Sequence, residues 1–323
     1  MLARVESGGV VRDDPSPKPT PRDAVVWTAV LGEALGKKDL HRFTEGDLFD
    51  GSGPKSADIR QDAVGDCYFV AALGAYAKQD PEVIDDSIRY DPETGNFTVR
   101  LYGDSGPVEI EVTQADIEDN LKRWGGSTVD NTANVDGPIW PAVIETARAK
   151  MLDSNPSDGL DEGYKDIEGG HSADAMFTLT GYKGDNTYIL GTTLVDKLLP
   201  GEPLNDHVYD VVKGALDEGR AVTLDTSVID TDDGLSGSHV YIVESIGKNE
   251  KGEIIVTLRN SWGNNGVGEG KAGEQEPLIT VKLKDLSESG MAFTASDKEP
   301  DVLAPGPLQS RPHNERPGEA GVA

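Results

Sequence analysis

Cysteine occurs once in this chain of 323 residues, as Cys67 in the stretch DIRQDAVGDCYFVAAL (58–73). A lone buried cysteine is most often a small hydrophobe. Its setting here argues for more. Gly65 and Asp66 can end an extended segment and leave Asp66 to cap a helix, which puts Cys67 in the first turn. There the free backbone N–H groups and the helix dipole favour a thiolate, the nucleophilic form of the residue. Such a nucleophile needs a proton partner, and near neutral pH that partner is ordinarily histidine. Of the five histidines, His313 lies in a polar tail, His41 in the charged run KKDLHRF, His207 ahead of a helix, and His171 in a loop after Gly169–Gly170. His239 opens the alternating apolar segment SHVYIVESIG, directly after a Gly/Ser turn. A residue at a strand start can be held rigidly and still face a cleft.

Two further side chains complete the set. Asn260 ends the apolar run IIVTLRNSWGNN, and its amide oxygen could accept Nδ1–H of a histidine, fixing tautomer and angle. Trp262 beside it could shield that hydrogen bond from water. His239 and Asn260 lie 21 residues apart, a spacing that suits adjacent strands. Gln61 precedes Cys67 by six residues, and its amide could join the Cys67 backbone N–H in stabilising an oxyanion. Each residue has an ordinary structural reading: a strand-ending turn for Asn-Ser-Trp-Gly, an exposed loop amide for Gln61. Gln, Cys, His and Asn in this order and these contexts point together to a cysteine hydrolase.

The elements that must carry them follow from periodicity. AVVWTAVLGEALGKKDLHRF has helical spacing, and CYFVAALGAYAKQ reads as a helix beginning at or just after Cys67. GNFTVRLYGDSGPVEIEVT alternates about a Gly-rich turn and reads as a hairpin. GPIWPAVIETARAKML is a helix with Pro138 and Pro141 near its start. DHVYDVVKGALDEG is another, closed by Gly219. AVTLDTS, SHVYIVESIG, EIIVTLRNSW and LITVKLKDL are β-rich segments. The expected fold class is α+β. A flexible leader spans 1–24, a helical part with Cys67 spans 25–200, a β-rich part with His239 and Asn260 spans 201–296, and a flexible tail spans 297–323.

Composition narrows the partners. With 58 acidic against 30 basic residues, the net charge of -28 disfavours nucleic acid and leaves room for basic partners. A single cysteine excludes an internal disulfide and a Cys-rich zinc site. No apolar h-region begins the chain, and no run of about 18 apolar residues could span a membrane. A cytoplasmic protein is expected, or one exported without a cleaved signal; oligomeric state is not specified.

The motifs resemble those of the calpain family. DIRQDAVGDCYFVAAL is similar to its nucleophile motif, which runs Gln, Gly, two residues, Gly-Asp-Cys-Trp and a small-apolar helix. GSHVYIVESI resembles its histidine strand, and TLRNSWG resembles its Arg-Asn-Pro-Trp-Gly segment. PIWPAVIETARAKM and GYKDIEGGHSADAMFTLTG resemble the intervening helix and Gly-Gly loop. The resemblance runs from about residue 45 to 290. It implies a papain-like fold of two lobes with Cys67 in a helical lobe and His239 and Asn260 in an antiparallel β lobe. It also implies Gln61 as oxyanion residue, Trp262 covering the His–Asn pair, and limited endopeptidase action on extended protein segments. Tyr68 stands where the family has Trp, and Ser261 where it has Pro. Family calcium sites map onto Asp58, with Gly51 and Gly53 at loop carbonyl positions. Lys165 replaces the expected Glu, however, and a cation there would repel calcium. Glu269 and Glu274 are candidates for a second site without a motif, and no EF-hand loop is present. No cofactor is therefore required by this reading, with calcium kept as a candidate. Two other functions fit the same residues: a catalytically silent calpain-like binding module, and a transglutaminase-type acyltransferase. The latter normally orients its histidine with Asp, so Asn260 favours hydrolysis.

Overall fold

The computed structural model describes residues 41–61, 63–128, 137–155, 159–189, 203–227, 235–265, 276–288 and 292–297. The expected leader, most of the first helical stretch, nearly all of the tail, Glu269 and Glu274 lie outside them. The described residues from Phe43 onward form one compact unit. In chain order its elements are α1 (Glu45–Leu48), α2 (Cys67–Gln79), α3 (Glu82–Asp85), β1 (Ile88–Asp91), β2 (Asn96–Gly103), β3 (Gly106–Val112), α4 (Gln114–Lys122), α5 (Trp140–Leu152), α6 (Asp161–Asp166), α7 (Ser172–Thr180), β4 (Asp185–Tyr188), α8 (Pro203–Asp217), β5 (Val222–Asp225), β6 (Val240–Lys248), β7 (Ile254–Asn260), β8 (Leu278–Lys282) and β9 (Ala292–Ala295).

Helix α2 begins at Cys67, where the sequence placed it. Every residue from Tyr68 to Ala77 is buried, so this helix is apolar all round and runs through the core rather than over it. Its small side chains let neighbours come close. A Cβ on Gly74 would sit 2.3 Å from Ile242 Cδ1 of β6, so the glycine is what allows the sheet to lie on the helix. Asp80 ends α2, its N–H bonded to the Tyr76 carbonyl, and Pro81 opens the next turn.

The hairpin read from GNFTVRLYGDSGPVEIEVT is β2–β3, and β1 adds a strand to give an antiparallel sheet in the order β1-β2-β3. Helices α2, α5 and α7 share with it one core that includes Phe69, Phe97, Leu101, Trp140 and Met176. The β-rich remainder is a six-stranded sheet, order β4-β9-β5-β6-β7-β8, with antiparallel pairing throughout. Alternation gives it two faces. Val222, Leu224, Tyr241 and Val243 pack with α8 residues Val208, Val212 and Ala215 in a second core. Ala221, Val240 and Ile242 point the other way, into the core around α2. The register of β6 against β7 shifts between Val243 and Ser245, and such a bulge re-aims a side chain. Glu244 there accepts from Arg259 Nε at 2.5 Å, Ser56 Oγ at 2.8 Å and pairs with Lys78 at 3.2 Å. It ties α2 and the loop before it to β7. The architecture is the expected α+β class, helices with two antiparallel sheets.

Candidate active site

Cys67 is the first residue of α2, half-buried, with Asp66 at the N-cap. The sequence assigned Asp66 a capping role, but its side chain makes no cap hydrogen bond. The carboxyl is instead wholly buried. Its strongest neighbour is Glu145 of α5, also fully buried. Gly126 N–H donates to both Glu145 oxygens at 3.1 Å, and Asn120 Nδ2 donates to Oε2. Asn120 also donates to Tyr164 Oη at 3.0 Å. Asp66 Oδ2 and Asn120 Oδ1 receive no hydrogen bond. Burial first, and the Glu145 charge second, push the Asp66 carboxyl far above the usual range. Sequence spacing offered no clue to this pair, since 79 residues separate its members.

The nucleophile's own setting differs from the expectation drawn from the helix dipole. Burial raises the Cys67 thiol to about 11, and the Asp66 charge adds to the rise. Backbone N–H groups of Val240 and Tyr68 reach the sulfur and lower it again, but these and the dipole are outweighed. The Val240 contact also brings Cys67 beside the residue that follows His239.

His239 is pinned before it is aimed. Its N–H donates to Thr226 Oγ1 at 2.9 Å, and its carbonyl accepts from Thr226 N–H at 2.9 Å. Ser238 before it holds φ at +51°, a region that side-chain-bearing residues rarely adopt. The imidazole is 3% exposed. Its Nε2 lies 2.8 Å from Asn260 Oδ1. This corrects the sequence reading in one respect: the nitrogen facing Asn260 is Nε2 rather than Nδ1. The same Oδ1 accepts Trp262 N–H at 3.0 Å. A backbone N–H can only donate, so the atom facing it is the amide oxygen, and Nε2 must carry the proton. Nδ1 is left as the acceptor. Burial lowers the His239 pKa to about 4 despite the Asn260 bond, so the resting imidazole is neutral. The Trp262 indole lies 4.2 Å from it at 34°, and Tyr241 meets its edge at 4.9 Å.

Gln61 is buried at the same place. Its backbone N–H donates to Ser261 O at 2.7 Å. Its side-chain Nε2 is turned toward its own loop, donating to Val64 O at 2.7 Å and, at 3.5 Å, to Asp66 Oδ1. Ser261 is fully buried. Its hydroxyl reaches Gln61 Oε1 at 3.4 Å, His239 Nε2 at 3.3 Å and Val240 O at 3.3 Å. It links the amide beside Cys67 to the imidazole, a contact that the sequence, with Ser261 standing where the family has Pro, did not reveal. A cavity of about 540 Å³, lined by Tyr76, Arg100, Tyr182 and Arg220 among others, contains none of these residues.

Asp58, the carboxylate expected at a calcium site, is already engaged by protein donors. Asp58 is buried, and its Oδ2 accepts Trp140 Nε1–H at 2.8 Å and Lys55 N–H at 2.9 Å. That carboxylate is committed to holding a loop onto α5. Among the described residues no three acidic, histidine or cysteine side chains assemble into a group that could hold a metal. Lys165 is exposed at the end of α6. No helix of the described residues is long and apolar enough to cross a membrane.

Residues 37–277 match the profile of the calpain family cysteine protease domain. A calpain of Schistosoma mansoni is 26% identical over 277 residues, covering 81% of this chain and 34% of the relative. Calpain-13 of Rattus norvegicus is 30% identical over 228 residues, covering 66% of this chain and 30% of the relative. A calpain-type cysteine protease of Zea mays is 24% identical over 251 residues, covering 76% of the chain and 11% of the relative. The chain thus spans about a third or less of the length of these curated relatives.

Proposed function

From the premise that the chain belongs to the calpain family of cysteine proteases, we propose that it is an endopeptidase cleaving extended protein segments. Cys67 is its nucleophile, His239 its acid and base, and Asn260 the group that orients His239. The observation that carries this reading is the double acceptance at Asn260 Oδ1, from His239 Nε2 and from Trp262 N–H. It leaves Nδ1 as the one basic atom of a fixed ring. Since the resting thiol and imidazole are both neutral, the reaction begins with proton transfer. Sγ–H passes its proton to Nδ1 as sulfur attacks the carbonyl carbon and the C–S bond forms. The oxyanion is held by the Cys67 N–H at the open helix terminus and by Gln61. At rest the Gln61 side-chain N–H groups are engaged by Val64 O and Asp66 Oδ1, so the amide turns from both to hold the oxyanion. The imidazolium then protonates the leaving amine as the C–N bond breaks. Water, with His239 as base, hydrolyses the thioester and restores the thiol. Limited processing is the expected mode, since a folded segment cannot extend into such a site. We assign no step to calcium.

Hydrolysis of an unfolded protein substrate tests this directly: Cys67→Ala should abolish it, and EDTA should leave it unchanged. Retained cleavage in Cys67→Ala would remove the assignment. The neutral thiol–imidazole pair also favours one rival, a silent binding module whose thiol is never activated. Labelling of the single cysteine, which gives one signal, separates the two when iodoacetamide alkylation is set beside acylation. Both readings expect a rate that climbs from pH 8 through 10 in the free protein. Only the endopeptidase also acylates Cys67 with a peptide thioester-forming substrate at pH 7.

A further inference from the structure

One charged side chain beside the nucleophile has no part in the mechanism above. Asp225 ends β5, whose residues alternate between the two faces of the sheet. Val222 and Leu224 enter the core under α8. Asp225 therefore lies on the opposite face, toward α2, and it pairs in register with Val240, whose N–H reaches the Cys67 sulfur. Its charge is close enough to act on the Cys67 thiol. The carboxylate is half-buried. Ser172, the first residue of α7, donates one hydroxyl to it at 2.8 Å and 2.9 Å, and Thr294 Oγ1 of β9 lies 3.2 Å away while also donating to Asn186 at 2.7 Å. Two hydroxyl protons, one of them shared, and the Ser172 backbone N–H serve a carboxylate with about four acceptor sites. No Lys or Arg among the described residues pairs with it. His171, exposed at the N-cap of α7, lies close enough to favour its charged form. A desolvated carboxylate without a counter-ion is costly unless something supplies one.

We propose that Asp225 is a specificity-determining residue, which binds a Lys or Arg side chain of the substrate within a few residues of the scissile bond. The placement carries it. An extended segment whose carbonyl reaches Cys67 must pass Val240 and its register partner. The unpaired carboxylate there selects a cation, with the Ser172 and Thr294 hydroxyls holding it in place. The inference rests on the endopeptidase reading for what the cation belongs to, and it agrees with a chain of net charge -28 that attracts basic segments.

The test uses the full chain and quenched peptides of one sequence, with Lys, norleucine or Glu placed in turn at three positions on either side of the scissile bond. At one position Lys should exceed norleucine by about tenfold or more in kcat/KM, with Glu lowest. Asp225→Asn, which keeps an acceptor for Ser172, should reduce that ratio to about twofold. Ser172→Ala, which breaks the tie but keeps the charge, should preserve the preference. A ratio unchanged in Asp225→Asn, or no preference for Lys at any position, overturns the proposal. Protection of Cys67 from iodoacetamide by the same peptides gives a readout that needs no catalysis. If the chain hydrolyses nothing yet Lys peptides protect better than norleucine ones, and only with Asp225 present, the subsite stands and the endopeptidase reading falls. Equal protection by both peptides removes the subsite.

Discussion

On the β side of the site, Asn260 Oδ1 accepts two N–H groups, Thr226 holds both backbone groups of His239, and Trp262 and Tyr241 enclose the ring. On the helical side, Asp66 and Asn120 each keep a buried oxygen without a donor, and two carboxyls share one pocket behind Cys67. The β side is built so that one proton location is fixed. The helical side stores charge next to the atom that must ionise. The lesson is that satisfied hydrogen bonds set the direction of proton transfer, whereas the unsatisfied ones set its cost.

The contrast can be broken by substitution, most severely on the helical side. Glu145→Leu leaves the Gly126 N–H, Asn120 and Asp66 without their partner, and should cost about 4 kcal/mol of stability in denaturant unfolding. Glu145→Gln offers Asp66 a donor, keeps an acceptor for Gly126 and should fold near normally. Its effect appears with pH. A carboxyl whose folded pKa is raised contributes stability at low pH and loses it as pH rises through the folded value. Asp66 is such a group. The stability of Glu145→Gln relative to the parent should therefore improve as pH rises from 5 to 8. A difference independent of pH would show that Glu145 does not raise the Asp66 carboxyl.

The β side should respond with the opposite sign. His239 binds its proton at about 4 when folded, against 6.5 for the unperturbed group. The unfolded chain takes up that proton first, so stability falls as pH drops from about 6.5 to 4. The loss amounts to about 3 kcal/mol. His239→Gln should flatten this acid limb in urea melts taken across pH, and an unaltered limb would mean that another group carries it. The smallest expected effect lies where the two sides meet. Ser261→Ala removes the hydroxyl between Gln61 and His239 and should cost about 1 kcal/mol. In kinetics that is about a fivefold loss in kcat with KM little changed. A loss confined to KM would assign Ser261 to substrate binding instead of to alignment.

Much of this was legible in residue order. Cys67 at a helix start, His239 at a strand start and Asn260 at a strand end follow from periodicity and turn chemistry, because those signals are local. The hairpin of β2 and β3 and the helices α5 and α8 were legible for the same reason. What could not be read depends on groups far apart in the chain. The choice of Nε2 over Nδ1 follows from the angle at which β6 presents His239 to β7. The Asp66–Glu145 pair exists because α5 packs against the start of α2. The resting thiol at about 11 follows from burial between helix and sheet, against which a helix dipole is a small effect.

The sequence by itself therefore determined which chemical groups are present and which elements bear them. The tertiary structure alone decided how protons and charge are distributed among those groups. Hydrophobic periodicity is a property of neighbouring residues, while desolvation and Coulomb interactions depend on what the folded chain brings within a few ångströms.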